Sequence, residues 1–152
     1  MKKAKSCIFI LFLIFTLLII TSCCRIDLLV NWNISLPSPT VIKSVEDEVD
    51  NVEAYQIWEY GGSSVNFLGR MTEISNDNAK KAETYLNSLL TTLTYYPNKV
   101  DIILQVVESA QLISSGNYVY YDSKSENTVL LLIFDTKKGE MYYFSSEQTR
   151  SL

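Results

Sequence analysis

The chain contains no histidine. That removes Ser-His-Asp and Cys-His catalysis, the usual zinc sites and the side chain that most often moves protons near neutral pH. Glycine and proline are scarce, at five and three residues, so a collagen-like or linker-rich chain is excluded. Gly61-Gly62-Ser63-Ser64 is the one glycine pair, and it lacks the Gly-Lys-Ser/Thr ending and following helix of a phosphate loop. A turn is the simpler reading. Cysteine occurs three times, at Cys7, Cys23 and Cys24, too few for a disulfide framework.

What is present begins with a leader. Lys2, Lys3 and Lys5 precede an uncharged run from Cys7 to Ile20, the charged and apolar regions of an export signal. The run is marginal for a membrane-spanning helix, which needs about 20 apolar residues. It ends in Ile20-Thr21-Ser22-Cys23, which resembles the lipobox of bacterial lipoproteins: an aliphatic residue, two small residues and a cysteine. The resemblance implies lipid transfer to the Cys23 thiol and cleavage after Ser22. A lipid-anchored mature chain would then start at Cys23. Cys24 fits less well, because Thr21-Ser22-Cys23 before it has no aliphatic residue. Two acyl chains anchor a protein stably where one does so only marginally. The expected address is therefore the extracytoplasmic face of the cell membrane, with Cys7 removed and no cysteine pair left to bridge.

Residues 1–22 thus read as a signal peptide, 23–40 as a lipid-anchored N-terminal segment, and 41–152 as one α+β domain. Thirteen Lys and Arg less the three in the leader leave ten, against seventeen Asp and Glu that all follow Cys23, a side-chain sum of −7. Such an acidic chain is repelled by nucleic acid and by anionic headgroups alike. Its membrane attachment would be the lipid on Cys23.

Along the chain, Arg25 to Leu36 alternates apolar and polar residues, which fits a strand packed on the domain or a stripe resting at the membrane interface. Lys43 to Glu53 carries Glu46, Asp47, Glu48, Asp50 and Glu53 and reads as a solvated segment. Asp47, Asp50 and Glu53 are the carboxylates nearest to a calcium set, but no loop spacing or turn glycine supports one, so no metal is expected. Ala54 to Ser64 reads as a strand entering a turn, with Val65 to Ile74 returning as a second strand. Ser75 to Pro97 has helical apolar spacing, with Ser75, Asn76 or Asp77 to cap it and Pro97 to end it. Asn98 to Gly116 follows as a second helix with Gly116 as its stop, although its β-branched residues leave a strand open. Asn117 to Ser123, Asn127 to Thr136 and Gly139 to Ser146 form an antiparallel meander whose middle strand is apolar on both faces and so central. The expected fold is α+β: an antiparallel sheet of four or five strands with an antiparallel helix pair on one face.

Two kinds of side chain are candidates for function. All ten tyrosines follow Cys23, and aromatic rings with a polar tip suit a binding face, with Trp58, Tyr60, Tyr118, Tyr120 and Tyr143 as the candidates. Carboxylates are the other kind: Glu59, Glu73, Asp122 and Asp135 lie near strand ends, where two could act across a bond as in a glycosidase. No motif calls for a cofactor. The expected function is a non-enzymatic binding or interaction module with a protein partner at the cell surface, such as an immunity, exclusion or envelope accessory factor. The alternative is a carboxylate hydrolase acting on envelope polymers.

Overall fold

The computed structural model describes residues 32, 34–50, 52–61 and 68–146. Cys23, the leader and most of the alternating stretch from Arg25 lie outside them. The chain divides into two compact units, Met1–Ser38 and Pro39–Leu152. In the first, Trp32, Ile34 and Leu36 are buried and Ser35 is exposed, so the alternation is kept. Among the described residues of this unit there is no strand: 34–38 are irregular.

The second unit is α+β. Its six strands are β1 (Val41–Asp47), β2 (Val52–Glu59), β3 (Thr72–Glu73), β4 (Tyr118–Ser125), β5 (Thr128–Asp135) and β6 (Glu140–Ser145), and its helices are α1 (Ala79–Thr92) and α2 (Pro97–Ser109). All pairings are antiparallel, in the order β1-β2-β6-β5-β4-β3. The expected four or five strands are thus six. The unforeseen one is β1, in the acidic run expected to be solvated, and the strand expected over Val65 to Ile74 is described only as the two-residue β3. An edge strand stays wet on both faces, and most of β1 is exposed or half-exposed, so its side chains give little period-two signal. Val65 to Ile74 does not return against β2, whose second neighbour is β6; its described part is a 3-10 turn at Leu68–Arg70 followed by β3.

Residues paired across strands share a face, which sorts the sheet into two sides. Tyr55, Ile57, Tyr142, Phe144, Val129, Leu131, Ile133, Val119 and Tyr121 face the helices. With Ala82, Leu86, Leu89 and Leu93, and with Ile103 and Val107 from α2, they make the core. α1 lies over β5, and α2 lies over β2 and β1.

The helix ends differ from expectation in instructive ways. Asn78 is the N-cap of α1, and its side chain turns back instead of into the helix: Oδ1 accepts from Ser75 N at 2.8 Å and Nδ2 donates to Glu73 O at 2.8 Å. Pro97 does not end α1, which stops at Thr92, but opens α2 at its first position, where a missing N–H costs nothing. α2 ends at Ser109, well before Gly116, and just past its C-cap Ala110 the backbone of Gln111 takes φ +51°. Leu112 N donates to Val107 O at 3.0 Å and Gln111 N to Glu108 O at 3.1 Å, a Schellman closure with the apolar pair Leu112 and Val107 across it.

A bulge joins β1 to β2. Val45 faces Tyr55 and Glu46 faces Glu53, so Ala54 is the extra residue. There the β2–β6 ladder stops at Gln56 and Tyr143, and the carbonyl of Ser145 beyond it is met by the Lys99 ammonium at 3.1 Å. Lys99 is 4 % exposed, and burial holds its pKa below the ordinary value, with Glu53 acting in the opposite sense.

Left-handed backbone at a non-glycine residue costs roughly 1 kcal/mol or more. Gln111→Gly is therefore expected to raise the unfolding free energy by about 0.5–1 kcal/mol in urea denaturation, the residue's gain in unfolded-state freedom offsetting part of the relief.

Candidate functional site

The register gathers four of the five candidate aromatic residues into two adjacent rows on the side of the sheet away from the helices. One row runs Gln56, Tyr143, Leu132, Tyr120 across β2, β6, β5 and β4, and the next runs Trp58, Met141, Phe134, Tyr118. Tyr60, just past β2, joins them through an edge contact with Phe134 at 6.2 Å. Trp58 stacks on Tyr143 with centroids 5.7 Å apart and planes 3° apart.

Their exposure differs. Trp58, Tyr60 and Tyr143 are buried at 1, 5 and 9 %, and they act as the floor of this face. Tyr118 and Tyr120 are half-buried, so their rings reach solvent. The floor is held by a chain of hydrogen bonds. Trp58 Nε1 donates to Gln56 Oε1 at 2.7 Å, Gln56 Nε2 donates to both Glu53 oxygens at 2.9 and 3.0 Å, and Ser44 Oγ donates to Glu53 Oε2 at 2.6 Å. The bulge at Ala54 is what brings Glu53 to this face beside Gln56.

Polar groups flank the two wetter rings. The Tyr118 hydroxyl lies 3.5 Å from Glu73 Oε2, and the Tyr120 hydroxyl donates to Asp122 Oδ2 at 3.3 Å. Burial and the Asp122 carboxylate push the Tyr120 phenol above its ordinary pKa, and the charge of Arg70 opposes them. Two half-buried rings, two carboxylates and a guanidinium in one neighbourhood can stack on and hydrogen-bond a peptide or a sugar.

The four candidate carboxylates do not converge. Glu73 and Asp122 share the aromatic side with Tyr118 and Tyr120. Glu59 and Asp135 lie on the helix side, where both are register partners of Glu140, giving a row Glu59, Glu140, Asp135 across β2, β6 and β5. The sequence reading passed over Glu140, although the four-residue turn after Asp135 makes Asp135 and Glu140 hairpin partners. Each member of the row has its own donor. Lys43 pairs with Glu59, the Tyr142 hydroxyl donates to Glu140 Oε2 at 2.9 Å, and Asp135 Oδ1 accepts from the amides of Lys137 and Lys138. Like charges directly opposite on neighbouring strands repel, and these donors offset the repulsion.

Among the described residues, no three acidic or cysteine side chains are grouped to hold a metal ion. Asp47, the first carboxylate of the calcium-like run, turns inward: it is 1 % exposed, and its Oδ1 accepts from Val49 N at 2.9 Å. Glu53 is committed to the Gln56 network. A shallow crevice lined by Thr72, Asn78, Lys81, Ala82, Tyr85 and Val119 lies beside the start of α1, and none of the candidate carboxylates lines it. No helix among the described residues is long and apolar enough to cross a membrane. The chain matches no protein-family model, no curated protein and no solved structure.

Tyr142 gives this region a pH dependence. Burial, the hydrogen bond to Glu140 and the charges of Glu140 and Asp135 push its phenol well above the ordinary value near 10. Above about pH 10 the unfolded chain loses this proton while the folded chain keeps it, so stability falls as pH rises. Tyr142→Phe is expected to make the loss of stability between pH 9.5 and about 11 less steep than in the wild type, measured by denaturant unfolding.

Proposed function

We propose that this chain is a bacterial lipoprotein, anchored through Cys23 on the extracytoplasmic face of the membrane, whose domain binds another protein without catalysing a reaction. The observation that carries the binding reading is the pair of half-exposed rings, Tyr118 and Tyr120, set on a rigid floor of Trp58, Tyr60 and Tyr143. Rigid aromatics with hydrogen-bonding tips are the side chains most enriched at protein interfaces, and they lose little rotamer entropy on binding. The location rests on Ile20-Thr21-Ser22-Cys23 after a charged and apolar leader. Immunity, exclusion and envelope accessory roles all fit a small tethered module of this kind, by analogy of class alone.

Cys23→Ala is expected to abolish incorporation of labelled palmitate and leave the precursor uncut on a gel, whereas Cys24→Ala leaves both unchanged. Normal processing of the Cys23 variant would refute the anchor.

Crosslinking and pull-down from intact cells with the tethered protein tests the binding reading. Tyr118→Ser combined with Tyr120→Ser is expected to lower recovery of the captured partner about tenfold or more, the scale of losing interface hot spots. The second reading, hydrolysis, takes its support from the Glu59, Glu140, Asp135 row. Recovery of no partner, together with turnover of a wall polymer that Glu140→Gln abolishes, would replace binding with catalysis.

A further inference from the structure

The sheet ends on one side at β1, and among the described residues no strand pairs with that edge. β1 pairs with β2 alone, and no described residue bonds its backbone on the other side. Its side chains are open as well: Val41 is 43 % exposed, and Lys43, Ser44 and Glu46 are exposed. An uncovered edge is a template for another strand, and proteins usually blunt it with proline, a bulge, short length or lysine.

The opposite edge is blunted in these ways. β3 is two residues long, and the stretch of β4 beyond it has a bulge at Lys124, between Ser123 and Ser125. β1 has seven residues and no proline, and the bulge in its ladder falls on β2, so its own backbone runs regularly. Its single lysine, Lys43, is tied to Glu59.

At the end of this edge that turns towards β2 the charge has one sign. Glu46, Glu48 and Asp50 are exposed where β1 turns towards β2, around Val49, which is 72 % exposed. The side-chain sum of −7 after Cys23 opposes the approach of a second copy of the chain. A basic strand meets the complementary field.

We propose that β1 accepts an extended segment of another protein, bearing lysine or arginine, as a seventh strand. The backbone of β1 supplies the hydrogen bonds, which carry affinity in strand addition, and the acidic turn selects the basic segment and places its cations at one end. This is a second surface, at the far side of the sheet from Tyr118 and Tyr120, and the two stand or fall separately: the tyrosine variants do not touch β1.

The test uses the full chain in detergent and an eight-residue peptide of alternating lysine and valine. Two controls accompany it, the same peptide with every backbone amide N-methylated and a glutamate–valine peptide. The lysine–valine peptide is expected to slow deuterium uptake across Val41–Asp47 and to bind at least tenfold more tightly than either control. Glu46→Lys combined with Glu48→Lys should weaken it several-fold. The proposal is overturned if this peptide does not bind, if the N-methylated form binds equally, if protection maps away from β1, if the charge reversal changes nothing, or if β1 becomes protected by self-association without peptide.

Discussion

β5 is apolar on both faces, and the arrangement of the second unit follows from that. Leu130, Leu131 and Leu132 are fully buried, and every residue from Val129 to Asp135 is buried. At roughly 25 cal/mol per Å² of apolar surface removed from water, leaving either face of such a strand wet would cost several kcal/mol. It therefore needs a strand on each side and cover on each face. β4 and β6 supply the strands, and the helices cover Val129, Leu131 and Ile133. On the other face, Tyr120, Tyr143 and Phe134 lie in the same two rows as Leu132 and Met141. The tyrosines that suggest recognition are thus first of all part of the flanking layer of the central strand, and only the two on β4 keep surface to offer.

β6 turns the meander into a larger sheet. It leaves β5 through a four-residue turn and then pairs on its far side with β2, so the N-terminal hairpin and the C-terminal meander form one layer. Gly139 closes that turn at φ +69°, with its N–H on the Asp135 carbonyl at 2.9 Å. Inserting β6 also aligns Glu59, Glu140 and Asp135. The repulsion along this row is met by three different donors, an ammonium, a phenol and a pair of backbone amides, so no single substitution removes them all. Where the insertion ends, beside the bulge at Ala54, Lys99 reaches in to donate to the Ser145 carbonyl. A buried ammonium is costly, yet an unmet buried carbonyl is costly too, and the long lysine stem spans the space with its apolar methylenes.

Much of this fold could be read from local pattern. The helical spacing of Ala82, Leu86, Leu89 and Leu93 located α1, the 3.6 period favoured α2 over the strand that its β-branched residues left open, and the polar turns located the three strands of the meander. The misses share a cause: they are decided by pairing and packing that residue type alone does not show. β1 is a strand because β2 pairs with it, not because its side chains alternate in burial. Pro97 looked like a stop and was a start, since proline suits both places and only the packing of α1 tells them apart. Gln111 could not have been foreseen as the turn just past α2, because glutamine has no preference for left-handed backbone. The Leu112–Val107 contact imposes it.

The candidate site was legible one residue at a time and illegible as a constellation. Alternation alone places Tyr118 and Tyr120 on one face of β4, but their sharing that face with Trp58 depends on the register of β2 with β6, set some eighty residues apart in the chain. Register also sorts the carboxylates, since it puts Glu73 and Asp122 beside the two half-buried rings and carries Glu59 and Asp135 to the far side of the sheet. Carboxylates beside tyrosine hydroxyls make a polar rim around an aromatic centre, the composition of an interface patch. Register thus divides the four candidate carboxylates into two pairs on opposite faces, a separation that alternation within any one strand could not show.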